Sequence, residues 1–261
     1  MNISRHISKK NRPSDENGAG RPSNVLQRSR LCPFSLGNRL ALCASMVRRG
    51  AALTDVGTDH AYLPVWLAKQ NLIRNAVAAD IRPGPLERAR ANILRYGVAD
   101  KVSARLSDGL DQIRPQEAED LTIAGMGGLM MIHILDRVPW LREPDRRIIL
   151  QPMTKAENLR RYLGGSGFFV VREKAAEEDG HIYTVMQVSY RPQERQKNEM
   201  FYWVGRITAE TAEGKKYLEL QKRRLNRRAK GLFTAGNTQQ AKHFFSLAAE
   251  IEQMLSAGPA E

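Results

Sequence analysis

The sequence predicts an α/β protein built on a doubly wound sheet, followed by a helical appendage. Between Ala51 and Tyr190 short apolar runs alternate with helical runs, which is typical of parallel βαβ units. The series closes on two longer β runs joined by a turn, which indicates an antiparallel edge strand. After Pro192 the apolar residues keep roughly heptad spacing, which favours a coiled-coil hairpin.

The sheet elements follow one another at regular intervals. The β-like runs are ALTDV, NAVAADI, KVSARL, DLTIAG, RRIILQP, FFVVREKAA and HIYTVMQVSY, and the turn EEDG joins the last two. Apolar residues at helical spacing predict helices in SLGNRLALCASMV, HAYLPVWLAKQ, PLERARANILRYG, LMMIHILDRV and AENLRRYL. We expect all of these strands and helices to form one domain over residues 35–192.

The two ends of the chain differ from this central part. Residues 1–34 are polar and basic with no apolar period, so we expect a disordered basic arm. In residues 193–261 two heptad-like runs, Val204–Leu232 and Ala241–Leu255, flank the helix-breaking sequence TAGNT. They predict two long antiparallel helices packed as a hairpin.

Charge indicates the class of partner. The 261 residues carry a formal net charge of +13, and the excess is concentrated in residues 1–30 and 191–261. A polyanion, most commonly nucleic acid, is the partner that such a balance favours, although a basic surface can also serve solubility alone. Six of the nine residues in KRRLNRRAK are cations: Lys222, Arg223, Arg224, Arg227, Arg228 and Lys230. They are the predicted RNA-binding residues, and a solvated helix face is the alternative.

Other classes of protein are not indicated. The sequence has no apolar run long enough for a membrane span and no apolar leader at its N-terminus. Cys32 and Cys43 form neither a CxxC pair nor a metal-ligand spacing. We therefore expect a cytoplasmic protein with no metal and no membrane association; its oligomeric state stays open, a monomer included.

The segment DVGTDH, which follows the first strand, contains the first candidate site. In a doubly wound sheet ligands bind at the carboxyl ends of the strands. A dinucleotide fingerprint needs three glycines, whereas this loop has only Gly57 and places Asp59 where a pyrophosphate would be repelled. Asp55 and Asp59 suit a cationic ligand such as S-adenosylmethionine, which has an ammonium and a sulfonium. A polar turn with Asp59 capping the next helix is the alternative.

Two more acids stand at strand ends. Asp80 follows the second strand, where an acid can accept hydrogen bonds from ribose hydroxyls. Asp108 follows the third strand and could accept from an adenine amino group, with Gly109 giving access to the backbone. The predicted cofactor-binding residues are Asp55, Gly57, Thr58, Asp59, His60, Asp80, Ile81, Asp108, Gly109, Ala124 and Gly125.

The fourth strand ends in IAGMGG, residues 123–128. This loop has no Asn, Asp or aromatic side chain to hold an exocyclic amine. Bare backbone suits a flat base edge with a ring nitrogen as nucleophile, although the glycines could instead serve strand-to-helix packing. Met126, Gly127 and the amide of Gln151 are the predicted substrate-positioning residues.

Together DVGTDHAYLP, SDGL, IAGMGG, IILQP with NLRRYL, and GHIYTV resemble the bacterial TrmK family over residues 36–190. The resemblance implies a Rossmann-like class I methyltransferase sheet, S-adenosylmethionine as cofactor, and methylation of N1 of adenine 22 in tRNA. The basic hairpin resembles that family's C-terminal coiled coil in pattern only. Asp80 departs from the family pattern, where Glu is expected, and residues 1–30 have no counterpart.

Two other functions stay open on sequence alone. One is methylation of another RNA, of a protein or of a small molecule. The other is RNA binding without catalysis, with a relic cofactor site. Neither His60 nor His133, the histidines near the predicted site, is identified as a base, because the neutral ring nitrogen of adenine needs none.

Overall fold

A computed structural model of the chain describes residues 34–194, 196 and 198–257. The predicted N-terminal arm, with Cys32, lies outside the described residues apart from Phe34. Seven strands form one sheet in the order β3-β2-β1-β4-β5-β7-β6. They are β1 (Ala52–Val56), β2 (Asn75–Asp80), β3 (Val102–Leu106), β4 (Asp120–Gly127), β5 (Arg147–Thr154), β6 (Phe168–Glu178) and β7 (His181–Tyr190).

The predicted doubly wound sheet with an antiparallel edge is confirmed. Strands β1 to β5 pair in parallel, and the chain changes direction across the sheet between β1 and β4. β7 runs antiparallel to both β5 and β6, so it lies one place in from the edge that β6 forms. Asp179 and Gly180 both have positive φ, as a two-residue hairpin turn requires.

Helices cover both faces of this sheet, which explains why β1 is buried along its whole length. The first three helices pack on one face with Cys43, Leu67 and Ile93, and the next two pack on the other with Met131 and Leu163. These helices are α1 (Asn38–Ala44), α2 (Tyr62–Lys69), α3 (Pro83–Arg95), α4 (Gly128–Asp136) and α5 (Ala156–Gly165).

The C-terminal hairpin is present, but its first helix begins later than predicted. α7 (Ala212–Thr234) packs against α8 (Thr238–Ser256) through apolar residues three and four apart, among them Leu218, Leu225 and Ile251. Val204 ends the short helix α6 (Glu199–Val204), because Gly205 turns the chain away with a φ of 64°. Thr211, which falls inside the predicted heptad-like run Val204–Leu232, is instead the N-cap of α7: its hydroxyl accepts from the Gly214 N–H.

A buried ion pair joins this appendage to the sheet domain. The Arg160 guanidinium on α5 contacts the Glu173 carboxylate on β6 at 2.6 Å, and both side chains are fully buried. Arg160 also donates to the Tyr202 and Trp203 carbonyls and to the Tyr217 hydroxyl. Four elements, α5, β6, α6 and α7, therefore share one polar network, and we expect the hairpin to keep a fixed orientation.

Candidate active site

A cavity of about 680 Å³ lies at the carboxyl ends of β1, β2 and β4, where the strand order reverses. This is the position at which open α/β sheets bind ligands. All eleven predicted cofactor-binding residues line it, and so does Met126. The residues brought together are Asp55, Gly57, Thr58, Asp59, His60, Asp80, Ile81, Asp108, Gly109, Ala124 and Gly125.

Asp55 is the buried acid of the cavity. Its side chain is only 6% exposed, and burial raises its pKa to about 7 although a hydrogen bond from Thr58 acts in the opposite direction. Among the described residues no cation forms an ion pair with it. A carboxyl group in this state is stabilised in its ionised form when a cationic ligand group arrives.

Asp59 and His60 organise the outer rim of the cavity. Asp59 is 58% exposed and pairs with Arg88 at 2.6 Å and with the His60 Nδ1 at 3.0 Å. The hydrogen bond from Arg88 is the main reason that the Asp59 pKa lies below its usual value. Ala61, in the left-handed conformation, is the N-cap of α2, so Asp59 does not cap that helix. The alternative interpretation, a polar turn in which Asp59 caps the next helix, is therefore wrong.

Asp80 and Asp108 differ in burial and in the groups that their carboxylates already contact. Asp80 is 5% exposed, and its Oδ1 accepts from the Arg82 backbone N–H at 2.8 Å. Next to it the apolar side chain of Ile81 is 58% exposed, which suits an aromatic ring lying over it. Asp108 is 52% exposed and is held by Arg137 at 3.2 Å, so a ligand group must share it with that guanidinium.

Gly57 is required at its position for two independent reasons. Its φ of 75° lies in the left-handed region, which side chains other than glycine rarely adopt. A Cβ atom added there would also lie 2.0 Å from the Met126 Cε. The loops after β1 and β4 therefore touch at this point, and a methyl group on Gly57 would require the Met126 side chain to move.

The predicted role of Gln151 needs correction. Its side chain is fully buried and does not line the cavity. Its Oε1 accepts from the Gly125 N–H at 2.9 Å and from the Arg39 Nη1 at 2.7 Å, so this oxygen is already engaged. Gln151 is placed to fix Gly125, whose φ is 78°, rather than to contact a base.

Gly127 is also outside the cavity lining. It pairs in register with Thr154 on β5, and a Cβ atom added to it would lie 3.2 Å from the Thr154 hydroxyl. Gly128 comes closer still to the same segment, since its added Cβ would lie 2.5 Å from the Lys155 carbonyl oxygen. Tight packing between β4, β5 and α4 accounts for Gly128, whereas a substrate role for Gly127 stays a prediction.

Several lining residues were not predicted. Arg39 reaches the cavity from α1, pairs with Glu178 and lies over the Tyr183 ring. The sequence signal for Arg39 is weak, because a single cation in an amphipathic helix is usually solvated. Tyr62 stacks on His60 with ring centroids 5.1 Å apart. His133, which the sequence does not identify as a base, also lines the cavity.

The predicted RNA-binding run lies on α7, away from this cavity. Five of its six cations are exposed, whereas the sixth, Lys222, is partly buried and pairs with Glu252 on α8. Arg228 lies over the Phe244 ring at 4.6 Å. Among the described residues no group of His, Cys, Asp or Glu could hold a metal, and no helix is long and apolar enough to cross a membrane.

Comparison with known proteins gives this geometry a context. A family model described as a methyltransferase domain matches residues 36–186, more than half of the chain. The tRNA (adenine(22)-N(1))-methyltransferase of Bacillus subtilis is 36% identical over 153 residues, which are 59% of this chain and 64% of that enzyme. The aligned part therefore spans less than two thirds of that curated relative.

Solved structures match over more of the chain. The crystal structure of B. subtilis TrmK, an m1A22 tRNA methyltransferase, superposes with a TM-score of 0.70 at 28% identity, covering 85% of this chain and 97% of that one. A Streptococcus pneumoniae candidate tRNA (m1A22) methyltransferase, solved with S-adenosyl-L-methionine, is 30% identical with a TM-score of 0.70; the match covers 83% of this chain and 99% of that one. The chain belongs to the methyltransferase domain family and, within it, to the TrmK family.

Proposed function

We propose that this protein is a cytoplasmic methyltransferase that uses S-adenosylmethionine to methylate N1 of adenine 22 in tRNA. The observation that carries the proposal is the convergence of all eleven predicted cofactor-binding residues on one cavity at the switch point of the sheet. The names of the B. subtilis and S. pneumoniae relatives support the same cofactor and the same target base.

The cavity residues fit this cofactor by their chemistry. A buried Asp55 without an ion pair suits the ammonium of the amino-acid end. Asp80, with one carboxylate oxygen bonded to the Arg82 N–H, has its other oxygen available for ribose hydroxyls. Ile81 offers an exposed apolar surface for the adenine ring. When bound, the cofactor supplies an electrophilic methyl group on a sulfonium.

The chain's own contribution is alignment and exclusion of water. N1 of adenine carries a lone pair, so no residue has to remove a proton before the displacement. Methylation leaves the base with positive charge, which nearby carbonyl oxygens stabilise. We assign this to the backbone of Gly125, Met126 and Gly127, and we assign to Gln151 the holding of Gly125 in its left-handed conformation.

The C-terminal hairpin is proposed as the tRNA-binding element. Its exposed cations, Arg223, Arg224, Arg227, Arg228 and Lys230, lie on one helix that is fixed to the sheet domain through Arg160 and Glu173. Because the target adenine lies inside folded RNA, it has to leave its stack to enter the cavity. A basic hairpin that is fixed to the sheet domain can hold the tRNA body while the target base leaves its stack.

The proposal is tested with purified protein, isotope-labelled S-adenosylmethionine and unmodified tRNA, followed by nucleoside analysis. We expect label in 1-methyladenosine, and none with the Asp55→Ala variant, whose retained fold is checked by circular dichroism. Label in N6-methyladenosine or a methylated guanosine would contradict the assignment of the target atom. Label transferred to protein or small molecules but not to tRNA would favour the other methyltransferase class.

A further inference from the structure

A second, basic cleft lies between the hairpin and the sheet domain. It has a volume of about 290 Å³ and is lined by Thr154, Lys155, Glu157, Trp203, Arg224 and Arg228. The sheet domain contributes the end of β5 and the start of α5, and the appendage contributes α6 and α7. Three of the six lining residues are cations and one is an acid, so the cleft carries a positive balance.

The cations of this cleft are not neutralised by the protein. Within the part of the chain that the structure describes, Lys155, Arg224 and Arg228 form no ion pair. Two other lysines of α7 behave differently, since Lys216 pairs with Glu177 and Lys222 with Glu252. The three side chains are exposed and line one cleft with a single acid, so the cleft attracts an anionic ligand that can bind several of them at once.

Aromatic side chains hold one of these cations in place. The Arg228 guanidinium lies 4.6 Å from the Phe244 ring centroid and 6.0 Å from that of Trp203. These two rings pack edge to face at 6.0 Å. A guanidinium stacked on an aromatic face keeps its N–H edge available, and that edge matches the oxygens of a phosphate. Arg228 is therefore oriented before any ligand arrives.

The cleft also adjoins the candidate active site. Thr154, one of its walls, pairs in register with Gly127, which follows Met126 of the cavity. Arg224 additionally lines a small hollow with Tyr183, and Arg39 of the cavity lies over the Tyr183 ring. Contacts through Tyr183 and through the Gly127–Thr154 pair thus connect residues of the cavity with residues of the cleft.

We propose that this cleft binds a backbone phosphate of the RNA strand that carries the methylated adenine. The proposal rests on the proposed function and makes it more specific: within the basic run, Arg224 and Arg228 contact the strand next to the target nucleotide. Arg223 and Arg227 are also four residues apart on α7 but do not line the cleft, and they contribute only to general attraction of the tRNA body.

A matched pair of double variants tests this. R224Q/R228Q and R223Q/R227Q remove the same charge from the same helix. We expect R224Q/R228Q to raise the KM for an unmodified tRNA transcript about tenfold or more and to reduce the slope of log Kd against log salt by about one per lost phosphate contact. R223Q/R227Q should raise KM by no more than about threefold, as loss of screened surface charge does. S-adenosylmethionine affinity is expected to stay at the wild-type value in both.

The single variant Lys155→Gln, on the opposite wall, should resemble R224Q/R228Q in direction with a smaller rise in KM. Since Arg228 also packs on aromatic rings, Arg228→Lys and thermal unfolding of each variant separate charge from packing. Inorganic phosphate alone, titrated as a competitor, should inhibit the wild type more strongly than R224Q/R228Q at equal ionic strength.

The outcomes are distinguishable from failure of the proposed function. If the wild-type protein methylates no adenine in tRNA, the proposed function is wrong. If it does methylate tRNA but the two double variants have equal KM values and equal salt slopes, the cleft has no special role and this inference is wrong. Inhibition by phosphate that is identical in both proteins would likewise overturn it.

Discussion

Asp55 is a carboxyl group whose charge depends on what occupies the cavity beside it. Burial raises its pKa to about 7, and no described cation compensates. Asp59, four residues later, is exposed and already paired with Arg88 and His60. The two acids of the same loop are therefore not equivalent: Asp55 is suited to bind a ligand cation, while Asp59 holds the rim of the cavity.

Binding of S-adenosylmethionine should consequently depend on pH. The ionised form of Asp55 binds the ammonium, and in the empty protein this form is lost as pH falls below about 7. We expect affinity to rise between roughly pH 5.5 and pH 7.5 by about tenfold per unit of pH below the pKa. Calorimetry over this range measures it. In Asp55→Asn the affinity should be weak and nearly flat, and an equally steep rise in that variant would assign the titration to another group.

A single methyl group at Gly57 should disrupt the site. Gly57→Ala places a Cβ atom 2.0 Å from the Met126 Cε and forces an alanine into a φ of 75°. The backbone term alone costs about 1–2 kcal/mol, and the overlap forces the Met126 side chain out of its position in the cavity lining. We expect at least tenfold weaker cofactor binding by calorimetry. G57A/M126A relieves the overlap but not the strain, so it should recover only part of the affinity; full recovery would show that the backbone conformation is unimportant.

The sequence predicts the acidic residues of this site better than the residues that hold the surrounding loops in place. Asp55, Asp80 and Asp108 could be predicted because each lies at or just after the carboxyl end of a strand, and parallel strands end at one edge. Gln151 could be identified but its role could not, because that role depends on its register with Gly125 across two strands. Arg39 could not be predicted, since only the docking of α1 brings it to the cavity.

Among the helices and strands, the joint at Arg160 and Glu173 determines how the hairpin is held. Glu173 Oε1 accepts from Arg160 and from the Thr184 hydroxyl, and its Oε2 accepts from the Arg206 backbone N–H. A Cβ atom at Gly205 would lie 1.8 Å from that Oε2, so the chain passes as close to the carboxylate as it can. The joint thus fixes both where α6 ends and the angle at which α7 leaves.

Removing both partners of this joint should cost less than the sum of removing each one alone. Arg160→Met leaves a buried carboxylate without its cation, which costs about 3–5 kcal/mol of unfolding free energy. R160M/E173M replaces the whole pair with apolar groups, so we expect a substantially smaller loss than the sum of the two single variants. Urea unfolding of the four proteins gives the coupling energy. Additive losses would mean that the pair does not act as a unit.

Element boundaries show where sequence patterns fail. The alternation of apolar runs predicted all seven strands, yet it could not place β7 between β5 and β6, since hairpin strands can add in either order. The heptad-like spacing predicts one continuous helix from Val204 onward, and between Val204 and Thr211 this prediction is wrong. Val204 and Ile207 are buried in the hairpin's apolar cluster. The helix is nevertheless interrupted, because α6 ends just before Gly205 and α7 begins only after its N-cap at Thr211.

At the scale of the whole molecule, the candidate active site and the proposed RNA-binding surface lie on different parts of the chain, and the Arg160–Glu173 ion pair connects these parts. The candidate active cavity contains acids that suit a small cation, whereas exposed cations on α7 suit a polyanion. The basic cleft between the sheet domain and the hairpin lies where the two meet. Under the proposed function, the acids of the cofactor site are thus kept apart from the basic surface that binds the RNA, in a protein of net charge +13.

The central claim is that this arrangement directs one methyl group to one base. Two tRNA transcripts that differ only at position 22, one with adenine and one with guanine, are incubated with the protein and isotope-labelled S-adenosylmethionine. Mass spectrometry of the nucleosides identifies the product, and the reverse-transcription stop caused by a methylated N1 locates it. We predict 1-methyladenosine at position 22 of the first transcript and no methylation of the second. Equal methylation of both transcripts, or a product other than 1-methyladenosine, would contradict the account.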